Sequence, residues 1–136
     1  MAAIAVAPFL LTDVTLLVGT DNYEAHVSTV SFEPSSSVVN WNGLTPASSF
    51  SFGTNPVWVC NLTYAQDWTT PNSLSAYLFA QAGTEKAVEF VPVNGGATIE
   101  ATLIIQPGAI GGDVNAVATA SVSLGVKGKP TVTPGV

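Results

Sequence analysis

The chain has 136 residues, of which nine are acidic and three are lysine, and its formal net charge is −6. Only 9% of the residues are charged, against roughly 25% in typical soluble domains, so we expect other subunits to cover part of its surface. The acidic balance argues against nucleic-acid binding, because that binding rests on cationic contacts to phosphate. A hydrophobic content of 47% suffices for one domain with its own core, and Cys60, the single cysteine, excludes an internal disulfide.

The apolar start of the chain lacks the positively charged region of a signal peptide. No apolar run approaches the roughly 18 residues of a membrane-spanning helix. We therefore expect neither secretion nor a membrane partner.

Most of the chain is rich in β-branched and aromatic residues and is divided by Gly, Pro and Asn clusters, which predicts strands. The first two strands are predicted at residues 13–19 and 22–32. In the second, the apolar alternation changes face near Ser28 and Thr29, which indicates a β-bulge. The clearest strand is residues 56–67. Its predicted core-facing set is Trp58, Cys60, Leu62 and Tyr64.

Residues 33–56 interrupt this pattern with proline, serine, asparagine and glycine. Segments this long without clear periodicity are usually functional or disordered, and the aromatic residues argue against disorder. We expect an extended loop or loose hairpin that docks on a neighbouring subunit. The candidate contact residues are Trp41, Leu44, Phe50 and Phe52.

One helix is predicted between Pro71 and Gly83, with Ser73 as a candidate N-terminal cap. Its expected packing face is Leu74, Tyr77, Leu78 and Ala82, extended by Phe79.

Three further strands are predicted at residues 86–93, 97–106 and 117–126. The turn Asn94-Gly95-Gly96 joins the first two. Residues 131–136 are expected to be a loose tail. The predicted fold class is mainly β: an antiparallel β-sandwich or half-barrel with one α-helix, in a single domain over residues 1–136.

The residues give no sign of catalytic or metal chemistry. His26 is the only histidine, so a zinc site has no second imidazole or thiolate nearby. Glu24, His26 and Ser28 on one strand face would not converge on a nucleophile. The acidic residues lie near turns without the spacing of a calcium loop. We therefore expect a non-enzymatic protein with no catalytic residue, no cofactor and no metal.

The order of parts resembles a known family. A strand, the long Pro/Ser segment and a strong strand precede Asp67-Trp68-Thr69-Thr70-Pro71-Asn72-Ser73-Leu74-Ser75-Ala76-Tyr77-Leu78. Further strands, a glycine-rich turn and the closing Gly128-Lys129-Pro130 follow. This order, over residues 19–131, is similar to that of the major tail tube proteins of long-tailed bacteriophages, in the short form found in phages of actinobacteria.

The resemblance implies a virion subunit, made in the host bacterial cytoplasm, whose six-membered rings stack into the tail tube. Oligomerisation would complete a β-barrel around a lumen, and residues 33–56 would reach the neighbouring ring. The implied partners are further copies of the chain, with a tape-measure protein and passing DNA in the lumen without specific binding. The outward strand faces supply the expected lumen residues: Glu24, His26, Ser28, Asn61, Thr63, Glu100, Thr102, Thr119 and Ser121.

No lysine occurs on these faces, so a passing polyanion would not be held there. The three lysines, which lie elsewhere, are expected to pair between subunits or rings. Two alternatives stay open: a head-decoration or other immunoglobulin-like virion protein, and a secreted carbohydrate-binding module that exposes coplanar aromatic rings.

Overall fold

The computed structural model describes residues 2–93 and 95–134. Met1, Asn94, Gly135 and Val136 lie outside the described residues, and with them one residue of the predicted turn and the end of the predicted tail. The elements are β1 (Thr15–Val18), β2 (Asp21–Asn22), β3 (Val27–Ser35), β4 (Val38–Asn42), β5 (Ser49–Gly53), β6 (Val57–Ala65), α1 (Leu74–Ala80), β7 (Glu85–Val91), β8 (Thr98–Ile104), β9 (Thr119–Val126) and β10 (Thr131–Thr133).

The main sheet is antiparallel, and its two halves are joined by a short ladder of two residue pairs between β8 and β9. Its strand order is β2-β1-β7-β8-β9-β6-β3, with β10 paired to β8. The ladder between β8 and β9 consists of Leu103 opposite Val126 and Ile104 opposite Gly125, whereas the start of β8 pairs with β10. The chain therefore passes from one half of the sheet to the other between β9 and β10, as strands do at the corners of packed sheets.

The two halves face each other across one core. Phe32 of β3 lies with its ring centroid 6.1 Å from that of Phe90 of β7, although these strands are far apart in the sheet order. The mainly β, antiparallel, sandwich-like class predicted from the sequence is confirmed. In the described part of the chain the sheet does not close into a barrel.

The core is built from the alternating inward positions of the long strands. In β6, Cys60, Leu62 and Tyr64 are fully buried, as predicted, while Trp58 is half-buried against the same cluster. The register of β6 places Leu124 opposite Cys60, and Leu124 is also buried. Burial raises the pKa of the Cys60 thiol to about 12, so this cysteine is an inert core residue.

The helix is confirmed, but its packing face is narrower than predicted. Leu74 and Leu78 are buried, and Tyr77 packs against the core. Phe79 is exposed because it lies one position, about 100° of helix rotation, beyond Leu78. Ala82 is also exposed, because α1 ends at Ala80 before reaching it.

The start of α1 is fixed by side chains. The Ser73 hydroxyl accepts a hydrogen bond from the Ala76 N–H at 3.4 Å and donates one to the Asp67 carbonyl. The Asp67 carboxylate accepts from the Thr69 and Thr70 N–H groups at 3.0 and 3.1 Å. Hydrogen bonds from Thr70 and Thr69 lower the pKa of Asp67 to about 2.

The strand predicted at residues 22–32 is two elements. A turn at residues 24–26 separates β2 from β3, and the His26 N–H donates to the Tyr23 carbonyl at 2.9 Å. Tyr23 is buried and its hydroxyl donates to the Asn72 carbonyl at 3.1 Å. The predicted bulge is confirmed, since the register of β3 on β6 shifts between Val27 and Thr29.

The predicted loose tail is corrected in part. Residues Thr131–Thr133 form β10, in which Thr131 lies opposite Glu100 and Thr133 opposite Thr98. The start of β8 would otherwise leave an unpaired edge, and these three residues complete its ladder.

Candidate assembly surfaces

Residues 38–53 form a regular β-hairpin, here called the arm. It consists of β4, β5 and the connecting turn, in which the Gly43 N–H donates to the Ser48 carbonyl at 2.6 Å. The segment predicted as a loop or loose hairpin is therefore well-paired over its middle. At its root, the Thr54 N–H donates to the Ser37 carbonyl at 2.9 Å and the Ser37 N–H donates to the Thr54 hydroxyl at 3.0 Å.

The two faces of the arm differ in chemistry. Cross-strand partners share a face, and Val39 lies opposite Phe52 while Trp41 lies opposite Phe50, which makes one face apolar. The other face is Val38, Asn40, Asn42, Ser49, Ser51 and Gly53. There the Ser49 hydroxyl donates to Asn42 Oδ1 at 2.9 Å and the Ser51 hydroxyl donates to Asn40 Oδ1 at 2.5 Å. The polar side chains on that face form hydrogen bonds with one another. The side chains of the apolar face have no comparable partners within the arm.

The apolar face of the arm is open to solvent. The exposed fractions are 59% for Trp41, 51% for Phe50 and 63% for Phe52, and Leu44 at the tip is fully exposed. The arm is a sheet of its own that pairs with no strand of the main sheet in the described residues. Contiguous exposed apolar surface of this kind marks a contact site for another molecule. The four predicted contact residues thus all belong to the arm, three on its apolar face and Leu44 at its tip, and all are exposed.

A second candidate surface is the outward face of β3, β6 and β9, here called the polar face. It is defined by Thr29, Ser31, Glu33, Asn61, Thr63, Thr119, Ser121 and Ser123. Asn61 Nδ2 donates to Glu33 Oε2 at 2.8 Å, and the Ser123 hydroxyl donates to Asn61 Oδ1 at 2.6 Å. The hydroxyls of Thr63 and Ser121 are 3.0 Å apart. These bonds run across three strands and hold the polar groups in a fixed array.

Six of the nine predicted lumen residues lie on outward strand faces of one continuous sheet. Asn61, Thr63, Thr119 and Ser121 belong to the polar face. Glu100 and Thr102 lie on the outward face of β8. This face continues the outward face of β9, because Ile104 of β8 lies opposite Gly125 of β9.

The other three predicted lumen residues are placed differently. Glu24 and His26 lie in the turn before β3, not on a strand face: Glu24 Oε2 accepts from the Leu16 N–H at 3.4 Å, and the His26 ring meets the Tyr23 ring edge-on at 5.6 Å. Ser28 sits at the bulge, where its hydroxyl donates to the Thr63 carbonyl at 3.3 Å. The prediction was wrong here because Tyr23, Ala25 and Val27 alternate as the residues of a strand do, although residues 24–26 form a turn.

The three members of the polar face that lie on β3 were not predicted: Thr29, Ser31 and Glu33. They lie opposite Thr63, Asn61 and Val59 of β6. The change of face at Ser28 and Thr29 was the signal for them, because a bulge there turns every odd position after it outward.

The charged residues concentrate on the other half of the sheet. Glu89 and Glu100 are direct cross-strand partners on the outward face of β7 and β8. Lys127 pairs with Glu85 at 3.2 Å within the same chain, so this lysine already has an anionic partner before any assembly. The polar face contains no lysine, in agreement with the charge pattern expected from the sequence.

A third surface, here called the aromatic patch, consists of Trp68 and Phe79 together with Ile110, which precedes Gly111 and so lies next to the Gln66 side chain that also bonds Trp68. The Trp68 and Phe79 rings meet edge-on with centroids 6.3 Å apart. The exposed fractions are 45%, 60% and 64%, in that order.

The side chain of Gln66 holds the aromatic patch in place. Its Nε2 donates to the Gly111 carbonyl at 2.8 Å, and its Oε1 accepts from the Gly111 N–H at 2.9 Å and from Trp68 Nε1 at 3.2 Å. A further bond runs from Nε2 to the Thr119 carbonyl at 2.9 Å. Sequence reasoning missed Gln66, because its partners at Gly111 and Thr119 are distant in the chain.

Residues 2–93 and 95–134 contain no group of three or more His, Cys, Asp or Glu side chains that could hold a metal ion. Among the same residues, no helix is long and apolar enough to cross a lipid bilayer. Comparison with protein-family models and with curated proteins found no match for the chain.

Proposed function

We propose that this chain is a structural subunit that assembles with copies of itself into stacked six-membered rings, forming the tail tube of a long-tailed bacteriophage. The observation that carries the proposal is the arm, whose apolar face has no partner among the described residues of its own chain. Such a subunit would belong to the virion and would perform no catalysis. Its other partners would be a tape-measure protein and passing DNA, held without specific contacts.

The energetics of the arm favour a repeated contact over a single one. Fully burying one large, fully exposed apolar side chain stabilises a complex by about 1.5–3 kcal/mol. The four side chains of the apolar face are between 51% and 63% exposed, so one arm supplies on the order of 5 kcal/mol. Forming a complex costs about 4–15 kcal/mol in lost translational and rotational freedom. One arm alone therefore gives weak association. Several arms acting together between two rings share that cost, which makes stacking of closed rings much stronger than pairing of single subunits.

The strand edges support association within a ring. In the described ranges, β3 pairs with β6 alone, so one edge of this nine-residue strand is left without a neighbour. Exposed edges readily pair with strands of other chains, and closure of a ring removes them.

The polar face suits the wall of a conduit. Glu33 is its only charged residue, and uncharged or acidic walls do not retain a moving polyanion. Its side chains are also tied to one another, so they present a fixed surface.

The proposal is tested by electron microscopy and sedimentation velocity of the purified protein over a concentration series. We expect rings and hollow tubes of uniform diameter, with a sharp concentration threshold. A protein that stays monomeric or forms closed trimers at millimolar concentration would contradict the tube and favour a head-decoration role.

A carbohydrate-binding module is the second candidate, because Trp41 and Phe50 are neighbouring exposed aromatic residues. A pull-down with insoluble polysaccharides separates the two functions. Retention that Trp41→Ala abolishes, in a protein that forms no tubes, would favour the module.

A further inference from the structure

The arm and the aromatic patch lie at opposite ends of one strand. The arm precedes β6, which begins at Val57, and the aromatic patch is anchored by Gln66, directly after β6 ends at Ala65. Nine extended residues separate these ends by about 26 Å at 3.3 Å per residue. The molecule therefore presents one exposed apolar surface at each end of the same axis.

The side chains of both surfaces are themselves uncharged, in a chain whose net charge is −6, although Asp67 lies directly beside Trp68 of the aromatic patch. No Asp, Glu, Lys or Arg occurs from residue 34 to residue 66 or from residue 68 to residue 84. Two copies of an acidic chain repel each other over most of their surfaces, and such repulsion directs contact toward neutral surfaces. Because the arm carries no charged side chain, its contact with the aromatic patch largely avoids this repulsion, even with Asp67 beside the patch.

The aromatic patch has the features of a receiving site. Its tryptophan is fixed by the bond to Gln66, and its loop at Gly111 is held by the same side chain. Exposed aromatic residues that are held rigid before binding carry much of the energy at protein interfaces, because little conformational entropy is lost when they are covered.

We propose that the apolar face of the arm docks on the aromatic patch of a second copy, in a head-to-tail contact. This inference rests on the proposed function and specifies its stacking interface. Because the two surfaces differ and lie at opposite ends of the axis, each bound copy leaves a free arm at one end and a free patch at the other. A head-to-tail contact of this kind can be repeated from copy to copy along the axis, which produces an open polymer and not a closed pair.

Two variants test the pairing, each confined to exposed side chains. The arm variant is Trp41→Ser with Phe50→Ser, and the patch variant is Trp68→Ser with Phe79→Ser. We expect each alone to raise the threshold concentration for polymers at least about tenfold, as loss of a major interface residue does. Circular dichroism and thermal unfolding establish that both fold. Phe79→Ser alone replaces the patch variant if the double change unfolds the protein.

Mixing the two variants gives the decisive result. The arm variant keeps an intact patch and the patch variant keeps an intact arm, so a mixture should form stacks of two rings that grow no further, seen by electron microscopy and mass photometry. The aromatic control Phe79→Tyr, which leaves the bond from Trp68 to Gln66 intact, should polymerise near the wild-type threshold.

Two outcomes would overturn the inference alone: tubes of normal length from the patch variant, or no two-ring stacks in the mixture. Pairing of the patch variant with itself through its arms would likewise replace the head-to-tail contact by a symmetric one. Absence of tubes from the wild-type protein would instead overturn the proposed function, and this inference with it.

Discussion

Trp41 of β4 and Phe50 of β5 are direct cross-strand partners, with ring centroids 6.0 Å apart and ring planes inclined by 30°. A cross-strand aromatic pair stabilises a hairpin by about 0.2–1 kcal/mol, while an isolated two-stranded hairpin is marginally stable in water. The same aromatic side chains therefore stabilise the hairpin of the arm and form its exposed apolar face. Contact of this face with a partner would stabilise the hairpin further.

Removing the arm should abolish assembly and leave the fold intact. Replacing residues 39–52 by Asn-Gly, which forms a two-residue turn between Val38 and Gly53, keeps the closing pair of the hairpin. Because the arm adds nothing to the main core, we expect the free energy of unfolding to change by less than about 0.5 kcal/mol. Urea denaturation measures this, and sedimentation velocity should show subunits that no longer polymerise. Tubes of normal length would contradict the role of the arm.

Positive charge on the polar face should make assembled tubes retain DNA. Ser121→Lys with Ser123→Lys places two lysines on β9, where the wild-type face has none. Each added cation releases counterions from bound phosphate, so retention should weaken as salt is raised. The measurement is co-sedimentation of short duplex DNA with tubes at several salt concentrations. Thr20→Lys, in the exposed turn before β2, is the matched control. Equal retention by the control would show that the polar face does not meet the DNA.

Cys60 should make the protein less stable in alkali. Its pKa is raised by burial from 9.0 to about 12, so the unfolded chain loses this proton first as the pH rises. Stability should therefore be unaffected below pH 9 and fall between about pH 9 and 12, with a slope of at most about 1.4 kcal/mol per pH unit from this group. Urea denaturation across that range measures the slope. Cys60→Ala should be less stable at pH 7 because of the cavity, with a shallower alkaline slope. An unchanged slope in this variant would assign the effect to buried tyrosines such as Tyr23, whose pKa burial also raises to about 12.

Loss of the helix cap should destabilise the fold by a measurable amount. Ser73→Ala removes the acceptor for the Ala76 N–H and the donor to the Asp67 carbonyl, and the Ser73 side chain is itself buried. A cap substitution costs about 0.5–2 kcal/mol, and we expect the upper part of that range because a second group loses its partner. Ser49→Ala on the exposed arm is the control for a serine whose loss leaves the core unchanged. Chemical denaturation of both variants would show equal stabilities if the Ser73 contacts contributed nothing.

The sequence predicts the parts of this fold that depend on local alternation. Residues 56–67 alternate cleanly, and the structure buries Cys60, Leu62 and Tyr64 as that pattern requires. The bulge near Ser28 was visible for the same reason, since a single extra residue exchanges the two faces of a strand.

The sequence was less informative where local patterns compete or where partners are distant. The alternation of Val39 with Trp41 and of Phe50 with Phe52 was the signal for the arm, but the surrounding proline and serine residues favoured a loop. β10 is only three residues long and exists because β8 offers it an edge. The role of Gln66 depends on loops that only the folded chain brings near it.

Pro34 limits how far an added strand can extend along β3. It is the eighth residue of this nine-residue strand, and proline has no N–H to donate. A neighbouring chain that extends the sheet at this edge can build a continuous ladder along residues 29–33, between the bulge and Pro34, and must break it at Pro34. In the proposed ring, the lateral contact would thereby be kept short and separate from the arm that follows. If the proposed tube forms, this one proline would separate the contacts within a ring from the contacts between rings.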